Sequence, residues 1–136
     1  MIYFKTMRFL PLLALLSAAT LHAASEADRE KAFQADIAPL FEKSCANCHD
    51  PKKAKNGKVK SGFNSSSLAL VVKGGSDQGD GIVWGNAAKS AIMKSLELAL
   101  NDPEHDLAMP MKKSWEKNPP LTKEQVAKVK AFIEAK

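Results

Sequence analysis

The sequence predicts a small all-α domain with long loops, organised by something beyond its own apolar residues. Three observations predict it. No segment alternates apolar and polar residues as a strand would, while several repeat apolar residues at helical spacing. The connections are rich in glycine, proline and lysine, and loops of that length are uncommon in a compact domain unless a further component orders them. The chain's only two cysteines stand together with a histidine directly behind them, in Cys45-Ala46-Asn47-Cys48-His49.

The first 24 residues read as an export signal. Lys5 and Arg8 precede the uncharged run FLPLLALLSAATLHAA, Phe9 to Ala24, which is short for a bilayer-spanning helix. The rival reading is an uncleaved anchor. Ala23 and Ala24 offer a cleavage site before the charged SEADREK, no cysteine there suggests a lipid anchor, and Met7 could equally begin a complete signal. The expected product is a periplasmic domain of residues 25–136. Without Lys5 and Arg8 it carries 18 basic against 15 acidic residues, net charge near +3. That excess is too small, and too poor in interleaved aromatics, for nucleic-acid binding. A domain this small gains much from a disulfide, a metal or a large cofactor.

From Ser25 to Lys43 the spacing of Phe33, Ile37, Leu40 and Phe41 predicts a helix, which Pro39 should kink or restart because it lacks an amide hydrogen. Asp50 to Asn64, with Pro51, Gly57, Gly62 and many lysines, reads as a loop. A short helix is expected at Ser65–Val72, opened by serines and closed by Gly74-Gly75. After the loop GGSDQGDGIVWG, Asn86 should cap a helix from Ala87 to about Leu100, which Asp102-Pro103 ends. Prolines 103, 110, 119 and 120 mark a loop. The last helix begins with Thr122 and Gln125 in a capping-box spacing and carries Val126, Val129, Phe132 and Ile133 on one stripe.

C-x-x-C-H is the c-type haem attachment pattern. Two thiols add across the two vinyl groups on one side of a porphyrin, and the imidazole that follows reaches the iron. Three scarce residue types at fixed offsets, in an exported chain, favour that reading. A Cys45–Cys48 disulfide would leave His49 unexplained. A zinc site wants four ligands, and once the signal with His22 is gone only His105 remains to join the trio. A thioredoxin-like pair normally sits beside a βαβ pattern, which is missing from the sequence.

The segment IAPLFEKSCANCHD, Ile37 to Asp50, resembles the entry helix and haem-binding sequence of class I c-type cytochromes. More narrowly, FEKSCANCHDPKKAKNG, VKGGSDQGDGIVWGNAAKS, DPEHDLAMP and PPLTKEQVAKVKAFIEA resemble, in order, the planctomycete-type cytochrome c domain over nearly all the chain after the signal. The resemblance implies a small class I cytochrome c-like fold around one covalent haem c, with crossing N- and C-terminal helices. On that reading Cys45 and Cys48 anchor the haem and His49 is the proximal ligand.

Four residues are candidates for the second axial position: Met93, His105, Met109 and Met111. Met93 falls inside a predicted helix and reads as core. Met109 precedes Pro110, which biases it toward an extended conformation able to push a thioether inward. The resembling family places its axial methionine in such a Met-Pro pair, which carries over onto Met109. The family's His-Met-Pro-Pro order appears here as HDLAMPMKK, so His105 and Met111 stay open, with His105 expected at the surface. The choice sets the potential, since histidine–methionine ligation raises it.

Lys52, Lys53, Lys55, Lys58 and Lys60 either steer the protein to an acidic redox partner or merely solvate their loop. In the docking reading Lys112, Lys113 and Lys117 extend that face. Phe63, Trp84 and Trp115 fall in loops, where large aromatics shield a macrocycle; for Trp84 and Trp115 the alternative is an exposed partner surface. No acid–base pair or nucleophile arrangement points to an enzyme. The expected function is a monomeric, periplasmic, monohaem carrier of single electrons between protein redox partners, without nucleic-acid or membrane binding after signal cleavage. Rival functions are a haem enzyme or gas sensor with an open sixth position, and an electron-transfer subunit docked on a larger dehydrogenase.

Overall fold

The structure, a computed structural model, describes residues 24–135. The expected signal peptide lies, but for Ala24, outside the described residues. Helix α1 (Glu26–Ala32) opens under Ser25, whose hydroxyl accepts the Asp28 amide at 3.1 Å. The effect of Pro39 is a widened turn at Phe33–Ile37, where the Ala38 amide donates to the Phe33 carbonyl, followed by a restart as α2 (Ala38–Ser44). Pro39 thus stands in the first turn of α2, where a missing amide hydrogen costs nothing. The detour keeps Phe33, Ile37 and Phe41 on one buried face.

That face meets the last helix, α6 (Lys123–Glu134), which the Thr122–Gln125 capping box starts as expected. Phe33 lies 6.2 Å from Phe132 and 6.1 Å from Phe41, ring centre to ring centre. Lys128 pairs with Asp36 at the surface. The N- and C-terminal helical segments therefore pack together, and Val126, Val129 and Ile133 are buried with them. Trp84 belongs to this core too: it stacks edge-on to Phe132 at 5.4 Å, beneath the Arg29 guanidinium at 4.3 Å. Shielding of a cofactor, one of the roles expected for it, is not where the fold uses it.

After α2, Cys45 turns the chain into the single turn α3 (Ala46–His49). Helix α4 (Leu68–Lys73) is capped by Ser67 and ends at Gly74, whose φ of 79° favours glycine. The helix expected from Ala87 divides. Asn86 caps only one 3-10 turn, Ala87–Lys89, and α5 (Ala91–Asn101) starts after an extended Ser90. The physical reason lies in the glycine-rich loop. The Ala91 and Ile92 amides donate to the Asp80 and Gly81 carbonyls, while the Ser90 hydroxyl is drawn back to the Val83 amide at 2.9 Å and the Asn86 carbonyl at 3.0 Å. The loop satisfies the amides a longer helix would have bonded internally. Among the described residues there is no strand, and no helix is long and apolar enough to cross a membrane.

Candidate haem-binding site

The loops left outside this core surround a cavity of about 350 Å³. Cys45, Cys48 and His49 line it from α3, Ile92 and Leu96 from α5, and Met109 from the loop before α6. The short helical turn explains the first group: the His49 amide donates to the Cys45 carbonyl at 2.9 Å, so residues three and four apart share a side. Both cysteines are free thiols in this structure. Burial, with Cys48 beside it, pushes the Cys45 thiol up to about 12 and keeps it protonated at neutral pH.

His49 is oriented by the chain that returns from the lysine loop. Its Nδ1 lies 3.2 Å from the Phe63 carbonyl, and because a carbonyl only accepts, Nδ1 carries the proton. Nε2 is then the lone-pair nitrogen and has no hydrogen-bond partner among the described residues. The Phe63 ring packs edge-on against the imidazole at 5.1 Å, and Ser65 donates to the His49 carbonyl at 2.7 Å. Burial holds His49 below the usual imidazole range, and its bond to the Phe63 carbonyl offsets part of this. The result is a neutral ring, the protonation state that binds metal.

One wall is backbone. A Cβ on Gly81 would sit 1.9 Å from the Val71 carbonyl oxygen, and one on Gly74 would sit 2.3 Å from that of Gly79. The loop closes against α4 only because these positions lack side chains.

The four candidate axial residues separate. Met93 is 1% exposed in the core of α5 and does not line the cavity, as expected. His105 is exposed, its Nδ1 accepting the Leu107 amide at 3.0 Å within a local turn, and it lies off the cavity. Met109 and Met111 both reach the wall, flanking a cis Met109–Pro110 bond. The Met109 amide donates to the Ser95 carbonyl of α5 at 3.1 Å, fixing where this loop meets the cavity.

Several contributors are invisible in the sequence. The Phe63 and Ser95 carbonyls are backbone groups, which carry no residue signal. Trp115 does not line the cavity; its indole donates to the Pro110 carbonyl at 2.9 Å. Lys60 and Lys113 both line the cavity, tying the two lysine clusters to it.

Two thiols, one imidazole with a free nitrogen and two thioethers face one cavity with Phe63, Ile92, Leu96 and Pro110 around them. This donor set fits a covalently held haem: sulfur for the vinyl carbons, nitrogen and thioether for iron, apolar walls for the macrocycle. It does not suit a closed metal site, and no cluster of three or more histidine, cysteine or acidic residues able to hold a metal occurs among the described residues.

Comparison with protein-family models matches residues 34–135 to the family described as Cytochrome c. The curated proteins contain no match to the chain, and neither do the solved structures.

Proposed function

The chain belongs to the cytochrome c family, as a class I c-type cytochrome that carries haem c and transfers electrons, and from that premise we propose that it is a periplasmic, monohaem carrier of single electrons rather than an enzyme. The observation that carries the reading is the meeting of Cys45, Cys48, His49 and Met109 on one apolar-walled cavity. In this reading Cys45 and Cys48 form the thioethers, His49 is the proximal ligand and Met109 the distal one. The subclass is the planctomycete type. Residues 1–24 are a signal cleaved near Ala23 or Ala24, leaving residues 25–136 as a monomeric domain.

When bound, the haem supplies an iron that accepts and returns one electron. The residues around it do the rest. The Phe63 carbonyl holds His49 in its Nδ1–H tautomer, which would leave Nε2 to bind the iron. Met109 would supply a thioether ligand, which favours the reduced iron and raises the potential. Phe63, Ile92 and Leu96 keep water from the site.

The redox partner docks through acidic groups on the lysine loop. Lys52, Lys55 and Lys58 are exposed, and Lys53 pairs with Glu42. The loop holds its shape through positive-φ turns at Asn56-Gly57 and Ser61-Gly62, and Asp50 caps its start by accepting the Lys52 amide. Charges on such a frame steer encounter more than they strengthen the complex.

The test is the optical spectrum of the exported protein beside Met109→Ala, Met111→Ala and His105→Ala. We expect a low-spin iron with a sulfur-to-iron band in the red, lost in Met109→Ala alone. Loss in Met111→Ala instead would move the ligand, and a high-spin wild type would favour an open-site haem enzyme or gas sensor.

A further inference from the structure

Every residue of the segment Met109-Pro110-Met111 is tied down by a hydrogen bond, although the segment lies in a loop without regular structure. The Met109 amide is held by the Ser95 carbonyl at 3.1 Å. The Pro110 carbonyl is held by the Trp115 indole at 2.9 Å. The Met111 carbonyl accepts from both the amide and the hydroxyl of Ser114 at 2.8 Å. A further bond closes the far end of the loop. Asn118, which is buried, bonds through its side-chain amide to that of Asn47 at 3.0 Å, and Asn47 stands between the two cysteines.

Three of these ties come from side chains, and two of them, the Trp115 indole and the Asn47–Asn118 bridge, span different joints. The first folds the loop back on itself directly behind Met109. The second fastens the loop to the haem-attachment turn, so the element bearing the distal thioether and the element bearing the thiols are held in one frame. An unsatisfied Pro110 carbonyl could take no replacement bond from its own residue pair, since proline has no amide hydrogen and Met109 donates elsewhere. The indole is the donor that leaves that carbonyl satisfied while Met109 faces the cavity.

We propose that Trp115, supported by the Asn47–Asn118 bridge, is a positioning residue that holds Met109 on the iron and keeps the distal side closed to outside ligands. The proposal rests on the reading of Met109 as the distal ligand. Trp115 touches no reacting atom; it acts through the Pro110 carbonyl. Loosening it raises the population in which the thioether has left the iron. The loss of one hydrogen bond of ordinary net strength corresponds to a roughly five- to tenfold change in that population.

The experiment uses the haem-loaded protein and imidazole as the competing ligand. Trp115→Phe keeps a ring and removes the N–H. Imidazole should bind the ferric variant roughly five- to tenfold faster than wild type, with the sulfur-to-iron band weakened. Trp84→Phe is the control, since Trp84 packs in the terminal-helix core away from the cavity. It should lower the unfolding midpoint without changing imidazole binding. If Trp115→Phe binds imidazole at the wild-type rate, the proposal is overturned. Should that variant yield no haem-loaded protein, the wild-type indole proton decides. Slow solvent exchange that accelerates when imidazole displaces the sulfur supports the proposal; exchange indifferent to imidazole overturns it. Retention of the red band in Met109→Ala would instead overturn the ligand reading itself, which separates the two failures.

Discussion

The two ends of the chain and the loops between them solve different problems. Around α1, α2 and α6, apolar side chains meet apolar side chains: Phe33, Phe41 and Phe132 pack ring against ring, with Ile37, Val126, Val129 and Ile133 in the same cluster. Around the cavity, hydrogen bonds and missing side chains do the shaping: carbonyls at Phe63 and Ser95, an indole at Trp115, glycines at 74 and 81. The first region stores stability. The second holds a few chemical groups at fixed places and depends on the cofactor to fill the space between them. Damage to the first should therefore appear in unfolding curves, and damage to the second in spectra and potentials.

The largest separation is expected from Phe33→Ala. Emptying that site should cost about 3–5 kcal/mol, read as a lower denaturant midpoint. The haem spectrum of the protein that remains folded should match wild type. A changed ligand band in this variant would break the division between the regions.

Gly81→Ala is the converse. Its new methyl would collide with the Val71 carbonyl, so the loop must move off α4. A cost of about 1–3 kcal/mol is expected from such overpacking. Unlike Phe33→Ala, this variant should also shift the reduction potential, because the displaced wall admits water beside the iron. An unshifted potential would show that the glycine loop serves stability alone.

The smallest effect on the fold is expected from Lys55→Glu with Lys58→Glu, where stability should stay within about 0.5 kcal/mol. The association rate with an acidic redox partner should fall severalfold, and its salt dependence should flatten. Unchanged rates would return this loop to the solvated role.

The same division governs what could be read in the sequence. Residues that declare their environment gave the terminal helices: the Phe33–Ile37–Phe41 spacing, Thr122 with Gln125, and Pro39 as a point of restart. The attachment motif was equally legible, because its chemistry demands scarce residues at fixed spacing. The loop geometry was not. Asn86 looked like the cap of a long helix, and only the folded loop shows the Asp80 and Gly81 carbonyls taking up the amides of Ala91 and Ile92. Trp84 and Trp115 looked alike as loop tryptophans, yet one joins the aromatic core and the other bonds a backbone carbonyl. Partners that are main-chain carbonyls leave no mark on the sequence. Met93 and His105 were set apart from Met109 in the sequence, by helical placement and by an expected surface position, and the cavity lining agrees; Met111, which also reaches the cavity, is the candidate the fold leaves beside Met109.

The central claim is that one tetrapyrrole is bonded to both cysteines. Mass spectrometry of the tryptic peptide of residues 44–52 from exported protein tests it most directly. The account predicts that this peptide carries the added mass of one haem, with both thiols resistant to alkylation. A peptide of unmodified mass, whose two cysteines alkylate freely or pair as a disulfide, would contradict it.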